Sequence, residues 1–369
     1  MGNCIDYLNR YGRKELSEMP FNDVDSLILC QLSYLKFEGM VPELAKRRKS
    51  MKIMDLFIHP QRETLFIDDR YEAQNRSLFE AVAFSKRFQN LKMNHFSYLI
   101  DFDKQIQFAA ITFFLEDGTT YVAYRGTDET IIGWKEDFNM AFKTPIPSQL
   151  LAVEYLNKVS RRIKGDFIVG GHSKGGNLAV YASMKCDEEV KGRIRRIYTN
   201  DGPGFVKEVF SSAEFESIKS RITKIVPQSS LIGMLLQHQE EYQVIQSCGK
   251  GVAQHDPYTW EVKDGIFVHK NDLNQGRKLF NERLNQWVES LDEEERTVFV
   301  ETLFKIISVT EAETLMDLTE EWRENSYKMV NAIKEVDADT RKMLRKIIAA
   351  LFHVKKGKKA VAIEKRKRI

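Results

Sequence analysis

Gly171-His172-Ser173-Lys174-Gly175 is the stretch whose residue types and spacing best suit chemistry. It directly follows the short apolar run Phe167-Ile168-Val169 and precedes a helical pattern from about Asn177 to Met184. A strand that turns sharply into a helix lifts a serine hydroxyl off the carboxyl edge of a sheet. The flanking glycines let the backbone close up, and the helix N-terminus behind the serine favours developing negative charge. Ser173 placed in this way is a nucleophile for acyl transfer; the plainer reading is a Gly-rich turn with an incidental serine.

A hydroxyl is a weak nucleophile near neutral pH, so it needs a base within hydrogen-bond reach and a third group to orient that base. His255, in Gln254-His255-Asp256-Pro257, falls in a turn-rich stretch just after the last expected strand and is preferred as the base. His238 sits in an apolar helical segment, His269 follows another extended run and His353 lies in a distal helical region. For the acid, Asp201 closes the run Ile197-Tyr198-Thr199-Asn200-Asp201-Gly202-Pro203-Gly204, one strand beyond the nucleophile. It is preferred to Asp256, whose adjacency to His255 makes a side-chain hydrogen bond to that imidazole awkward, although Asp before Gly-Pro is also a common turn initiator. The oxyanion of a tetrahedral intermediate needs donors as well. The amide of Lys174 supplies one, and Arg125-Gly126-Thr127-Asp128 supplies another, with Gly126 permitting close approach and Thr127 offering its N–H and hydroxyl.

These residues need a scaffold, and periodicity divides the chain into segments. From Met1 to about Asn94 the pattern is mostly helix and loop: Val24, Leu27, Ile28, Leu32 and Leu35 recur at helical spacing. Leu78, Phe79, Val82 and Phe88 follow a candidate cap at Asn75. Residues 95–271 form the expected core. A hairpin is predicted from Gln107 to Leu115 and Thr119 to Tyr124 around Glu116-Asp117-Gly118, then a helix from about Ser148 to Ile163. Short strands are expected at Ile194 to Thr199, Ile222 to Val226 and Tyr242 to Gln246. Alternating strands and helices predict an α/β fold with a mainly parallel sheet flanked by helices. Residues 272–354 show only helical periodicity. Asp292 and Glu295 have capping-box spacing before Val298, Leu303, Ile306 and Ile307, so a small bundle is expected.

The 369 residues, 43% hydrophobic and 30% charged, can bury a sizeable core, which excludes disordered and collagenous classes. Four scattered cysteines, Cys4, Cys30, Cys186 and Cys248, contain no CxxC pair and read as reduced thiols rather than a zinc site or disulfide framework. With neither a secretory signal nor a spanning segment evident in the sequence, the expected location is the cytoplasm. Net charge is +3, but residues 355–369 carry eight basic side chains against Glu364, so the rest is mildly acidic. A basic tail on an acidic body does not suit a dedicated nucleic-acid binder, and no residue pattern requires a metal or organic cofactor.

Tyr124-Arg125-Gly126-Thr127, Trp134, Asp137, Gly171-His172-Ser173-Lys174-Gly175-Gly176, Tyr198-Thr199 and Ile225-Val226-Pro227 together resemble the class 3 (fungal-type) lipases. The resemblance spans about Gln107 to Val262. Gly-His-Ser-Lys-Gly-Gly-Asn-Leu-Ala with Asn-Asp-Gly-Pro-Gly-Phe and Gln-His-Asp-Pro is more similar still to a poorly characterised bacterial lipase-like family. The resemblance implies the α/β-hydrolase fold and a Ser173-His255-Asp201 triad. It departs in two places: Lys224 stands where class 3 lipases carry their acid, and Lys174 replaces the Leu after the nucleophile. Lys174 therefore either selects an anionic head group or pairs with a nearby acid.

The function implied is cleavage of carboxylic esters through an acyl-enzyme; an acyltransferase or thioesterase would use the same machinery. A silent hydrolase scaffold acting as a docking protein is the alternative of another class. Two apolar stretches, Ile131 to Phe142 and Leu231 to Leu236, read either as acyl-chain sites or as packed core. The tail after Val354 is either a solvated terminus or a contact with an anionic membrane, where clustered Lys and Arg contribute about 1 kcal/mol each.

Overall fold

Glu116-Asp117-Gly118 turns the chain back on itself, Gly118 at φ +84 and the Asp117 carboxylate accepting the Thr119 amide at 2.9 Å. The flanking strands, β3 (Ile106–Phe114) and β4 (Thr120–Tyr124), pair antiparallel from Ala110–Tyr124 to Phe114–Thr120. They are part of a computed structural model that describes residues 2–46, 48–67, 71–101, 104, 106–127, 136, 139–140, 144–236 and 241–309, with a few positions between 327 and 344.

A nine-stranded sheet grows on both sides of this hairpin. On one side lie β1 (Met51–Lys52) and β2 (Lys92–Asp101), antiparallel to each other, with β2 antiparallel to β3. On the other, β5 (Phe167–His172), β6 (Ile194–Asn200), β7 (Ile222–Pro227) and β8 (Tyr242–Ile245) run parallel to β4. A short hairpin, β9 (Val262–Lys263) and β10 (Ile266–Phe267), precedes β11 (His269–Lys270), which closes the edge antiparallel to β8. The sheet is thus mixed, with parallel strands at its centre and carboxyl ends that carry the candidate site. β2 escaped the sequence reading because a bulge between Asn94 and Ser97, with His95 at φ +56, interrupts its period-2 alternation.

Alternation along β4 explains how both faces are covered. Tyr121 and Ala123 enter a core with the helices Cys4–Tyr11, Asp23–Leu32 and Glu72–Phe84, whereas Val122 and Tyr124 enter a second core with Pro147–Ser160, Lys174–Lys185 and Ala213–Lys219. The first helices begin with reciprocal capping boxes, Asn3 with Asp6 and Asn22 with Asp25. Asn75 is not a cap: Tyr71 holds that position, and Asn75 lies buried inside the helix, its Oδ1 accepting from Gln31 Nε2 at 3.0 Å and from the Tyr258 hydroxyl. In the last region Asp292 and Glu295 exchange hydrogen bonds of 2.9 and 2.8 Å ahead of the helix Glu293–Ser308, where Leu303 and Ile306 are buried but Val298 is exposed. Among the described residues no helix is long and apolar enough to cross a membrane. Trp134, Asp137, His238, His353 and the basic tail lie outside the described residues.

Candidate active site

Ser173 stands between β5 and the helix Lys174–Lys185 at φ +58, ψ −133, a conformation that costs a residue with a Cβ about 1–3 kcal/mol. The turn survives because its neighbours leave no alternative. A Cβ on Gly175 would stand 2.1 Å from the carbonyl oxygen of Tyr124, so only glycine lets the helix start against β4. The Ser173 amide is bonded to Asn200 O on β6 at 3.0 Å. The Lys174 amide is the first of the helix, where an N–H has no intrahelical acceptor.

Two further loops at the same sheet edge bring Asp201 and His255 together. Asp201 follows β6 at φ +50, is fully buried, and its Oδ2 lies 2.6 Å from His255 Nδ1. Its Oδ1 accepts from Ser230 Oγ at 2.5 Å and from the Gly233 amide at 3.2 Å, so the carboxylate has a fixed rotamer. With Nδ1 donating to Asp201, the imidazole presents Nε2 as its basic nitrogen. Asp256 is occupied elsewhere, capping the turn Pro257–Thr259 through the Tyr258 amide at 2.9 Å. His269 is exposed on β11.

The main chain of His255 is held as firmly as its ring. His172 Nε2 lies 2.9 Å from the His255 carbonyl, which can only accept, so Nε2 carries the proton and Nδ1 accepts from the Tyr34 hydroxyl at 3.3 Å. Burial, then the neighbouring His255, hold the His172 pKa well below the usual 6.5, so this ring is neutral. The two imidazoles pack with centroids 4.5 Å apart, which places His255 over the residue preceding Ser173. Trp260 Nε1 donates to Gln254 O at 2.8 Å, and Gln254 Oε1 accepts the Ser229 amide at 2.7 Å. Ser173 Oγ makes no hydrogen bond among the described residues; such contacts often close only around a substrate.

The turn after β4 lies beside Ser173: a Cβ on Gly126 would sit 3.1 Å from Ser173 Cβ and 2.6 Å from His172 O. Thr127 follows, half-buried. The Lys174 side chain, in contrast, does not face a substrate. It is buried, with Nζ 2.8 Å from Glu136 Oε2 and 2.9 Å from Gln107 O, so it pairs with an acid and is not available to a head group. The apolar stretch Leu231 to Leu236 is packed as well: Leu231, Met234 and Leu236 are buried, and its turn presents Gly233 to Asp201.

Sequence reasoning missed the supports. Asn177 accepts from Gln149 Nε2 at 2.8 Å and donates to Pro203 O and Gly204 O at 3.2 and 2.9 Å, tying two helices to the loop after Asp201. Its place after Gly175-Gly176 was the only local signal. Nothing in spacing pointed to Tyr34, Ser230 or Glu136. Among the described residues no group of three or more His, Cys, Asp or Glu is arranged to hold a metal.

A mixed α/β sheet with parallel strands at its centre carries a serine at a strand-to-helix elbow and an Asp–His pair on later loops of the same edge. The chain belongs to the Mbeg1-like family, which it matches over residues 82–305. Among solved structures it is similar to the Rhizomucor miehei lipase in its propeptide complex, at 17% identity and a TM-score of 0.32, over 42% of this chain and 57% of that one. It is also similar to M37 lipase, at 14% identity and a TM-score of 0.36, over 73% of this chain and 80% of that one. The chain therefore spans less than two thirds of the Rhizomucor enzyme. No curated protein sequence matches it.

Proposed function

We propose that this protein is a serine hydrolase of carboxylic esters, lipid esters among them, acting through an acyl-enzyme. The observation that carries the reading is the 2.6 Å bond from His255 to a fully buried Asp201, one sheet edge with a serine whose backbone is strained in the way a nucleophile elbow requires. Ser173 Oγ attacks the ester carbonyl as His255 Nε2 takes its proton. The oxyanion is met by the amides of Lys174 and Thr127. His255 then returns the proton to the departing alcohol, leaving Ser173 acylated. Water, deprotonated by the same nitrogen, releases the acid. Asp201 holds the tautomer and balances the imidazolium throughout.

A fluorophosphonate probe read by intact mass tests this. Wild type is expected to gain one adduct and Ser173→Ala none; a wild type that stays unlabelled even with lipid vesicles present would point instead to the docking scaffold. The basic tail is proposed to hold the enzyme on anionic membranes, where its substrates are. Truncation after Val354 should then abolish sedimentation with anionic vesicles, and unchanged sedimentation would remove that role.

A further inference from the structure

The buried charge pair beside the nucleophile has a geometry that packing alone does not demand. Lys174 follows β5, and its ammonium reaches Gln107 on β3, so the side chain crosses the end of β4, where the Arg125-Gly126-Thr127 turn begins. Glu136 comes from the chain that continues beyond that turn. One of its oxygens takes Lys174 Nζ at 2.8 Å and the Gln107 amide at 3.2 Å, and the other takes Ser148 Oγ at 2.5 Å. Gln107 O in turn accepts from Lys174 at 2.9 Å. Four segments thus meet at one carboxylate: β3, the chain after β4, the first turn of the helix Pro147–Ser160 and the first residue of the nucleophile's helix.

We infer that Glu136 is a positioning residue for the oxyanion hole, acting through Lys174; this rests on the hydrolase reading above. The two proposed donors, the amides of Thr127 and Lys174, lie on separate chain segments, with no covalent link short enough to set their spacing. The Lys174–Glu136 pair, bonded also to Gln107 on β3, braces the Lys174 end of the hole at the end of β4, where the turn that carries Thr127 begins. A buried ion pair stabilises a fold no better than apolar side chains of the same volume, because both charges lose their hydration. What it adds is direction: each hydrogen bond fixes an angle as well as a distance. Donors preset to the developing oxyanion act only as charge moves onto it, so a loosened hole slows the chemical step more than it weakens substrate binding.

Glu136→Gln, Lys174→Met and the double apolar variant Glu136→Leu/Lys174→Leu would be compared with wild type. The readouts are kcat and KM on a short-chain nitrophenyl ester, fluorophosphonate labelling rate and thermal melting. Glu136→Gln is expected to lower kcat and labelling rate together by roughly 10- to 100-fold, the order of losing or misplacing one oxyanion donor. KM should stay within about threefold and the pH profile of kcat/KM unchanged, because the Asp201–His255 pair is untouched. The double variant should regain the wild-type melting temperature while its kcat stays low. If the double variant has wild-type kcat, or the single variants lose only KM, the pair is structural and the inference falls. A wild type that neither labels nor turns over ester removes the hydrolase reading and this role with it. Labelling in the wild type at the same rate as in the variants removes this role alone.

Discussion

Ser173 is placed by its own strand, turn and helix and by the strands on either side, with Gly175 seated on the Tyr124 carbonyl and the Ser173 amide bonded to Asn200. His255 depends on groups brought from across the chain: Asp201, His172, Trp260 through Gln254, and Tyr34 through His172. The loop that serves Asp201 leans in turn on the helix Gln275–Ser290. Asn281 Nδ2 donates to Ser230 O at 2.9 Å, while Asn285 donates to Met234 O and Leu236 O and accepts the Leu236 amide at 3.0 Å. The Ser173 side is therefore backbone geometry written into a local motif. The Asp201–His255 side is an assembly of docked loops, where a remote substitution costs precision before it costs the fold.

Substitutions that strike one side and spare the other test this contrast. The largest effect is expected at the acid: Asp201→Asn should lower kcat by about 10⁴-fold with the fold intact, because the imidazole loses its tautomer. Asp256→Asn should stay within about threefold, and equal losses at both positions would erase the assignment. On the Ser173 side Gly175→Ala should instead attack stability, since its methyl meets backbone 2.1 Å away; a loss of about 3 kcal/mol or more in urea unfolding is expected. Asn285→Ala removes the bonds it makes to two carbonyls and an amide, so a loss of about 1–3 kcal/mol is expected together with a severalfold drop in kcat. A severalfold drop with no change in melting would show that the helix acts on the site alone.

The smallest effect lies at the seam, where neutral His172 joins the two sides. Its pKa is lowered in the folded protein, chiefly by burial, so the unfolded chain takes up a proton first as pH falls. Its contribution to stability is present above about pH 6.5 and is lost as pH drops below that. His172→Gln should flatten the fall in unfolding free energy below pH 6.5, and an unchanged slope would show that another group sets it.

Strands, hairpin and elbow were legible because each rests on near neighbours: Gly118 in a turn, β-branched and aromatic residues on either side of it, glycines around Ser173. β2 was not, since its bulge destroys the alternation that marks a strand. Asn75 read as a cap because Asn favours helix starts, yet its partners Gln31 and Tyr258 are distant in sequence and decide its place inside the helix. Lys174 was visible as a cation beside Ser173, with a head group and a nearby acid both open to it. The choice belonged to Glu136, which no spacing rule connects to it.

By itself the sequence determined that a sheet edge would carry a strained serine, and it narrowed the candidate base and acid to a few loop residues, because local backbone chemistry is carried by the residues that adopt it. Only the tertiary structure decided that Asp201 rather than Asp256 faces His255, that His172 holds the main chain of His255 and that the Lys174 ammonium pairs with Glu136. Each of these is a contact between segments far apart in the chain, and such contacts depend on how the layers dock, which no local pattern encodes.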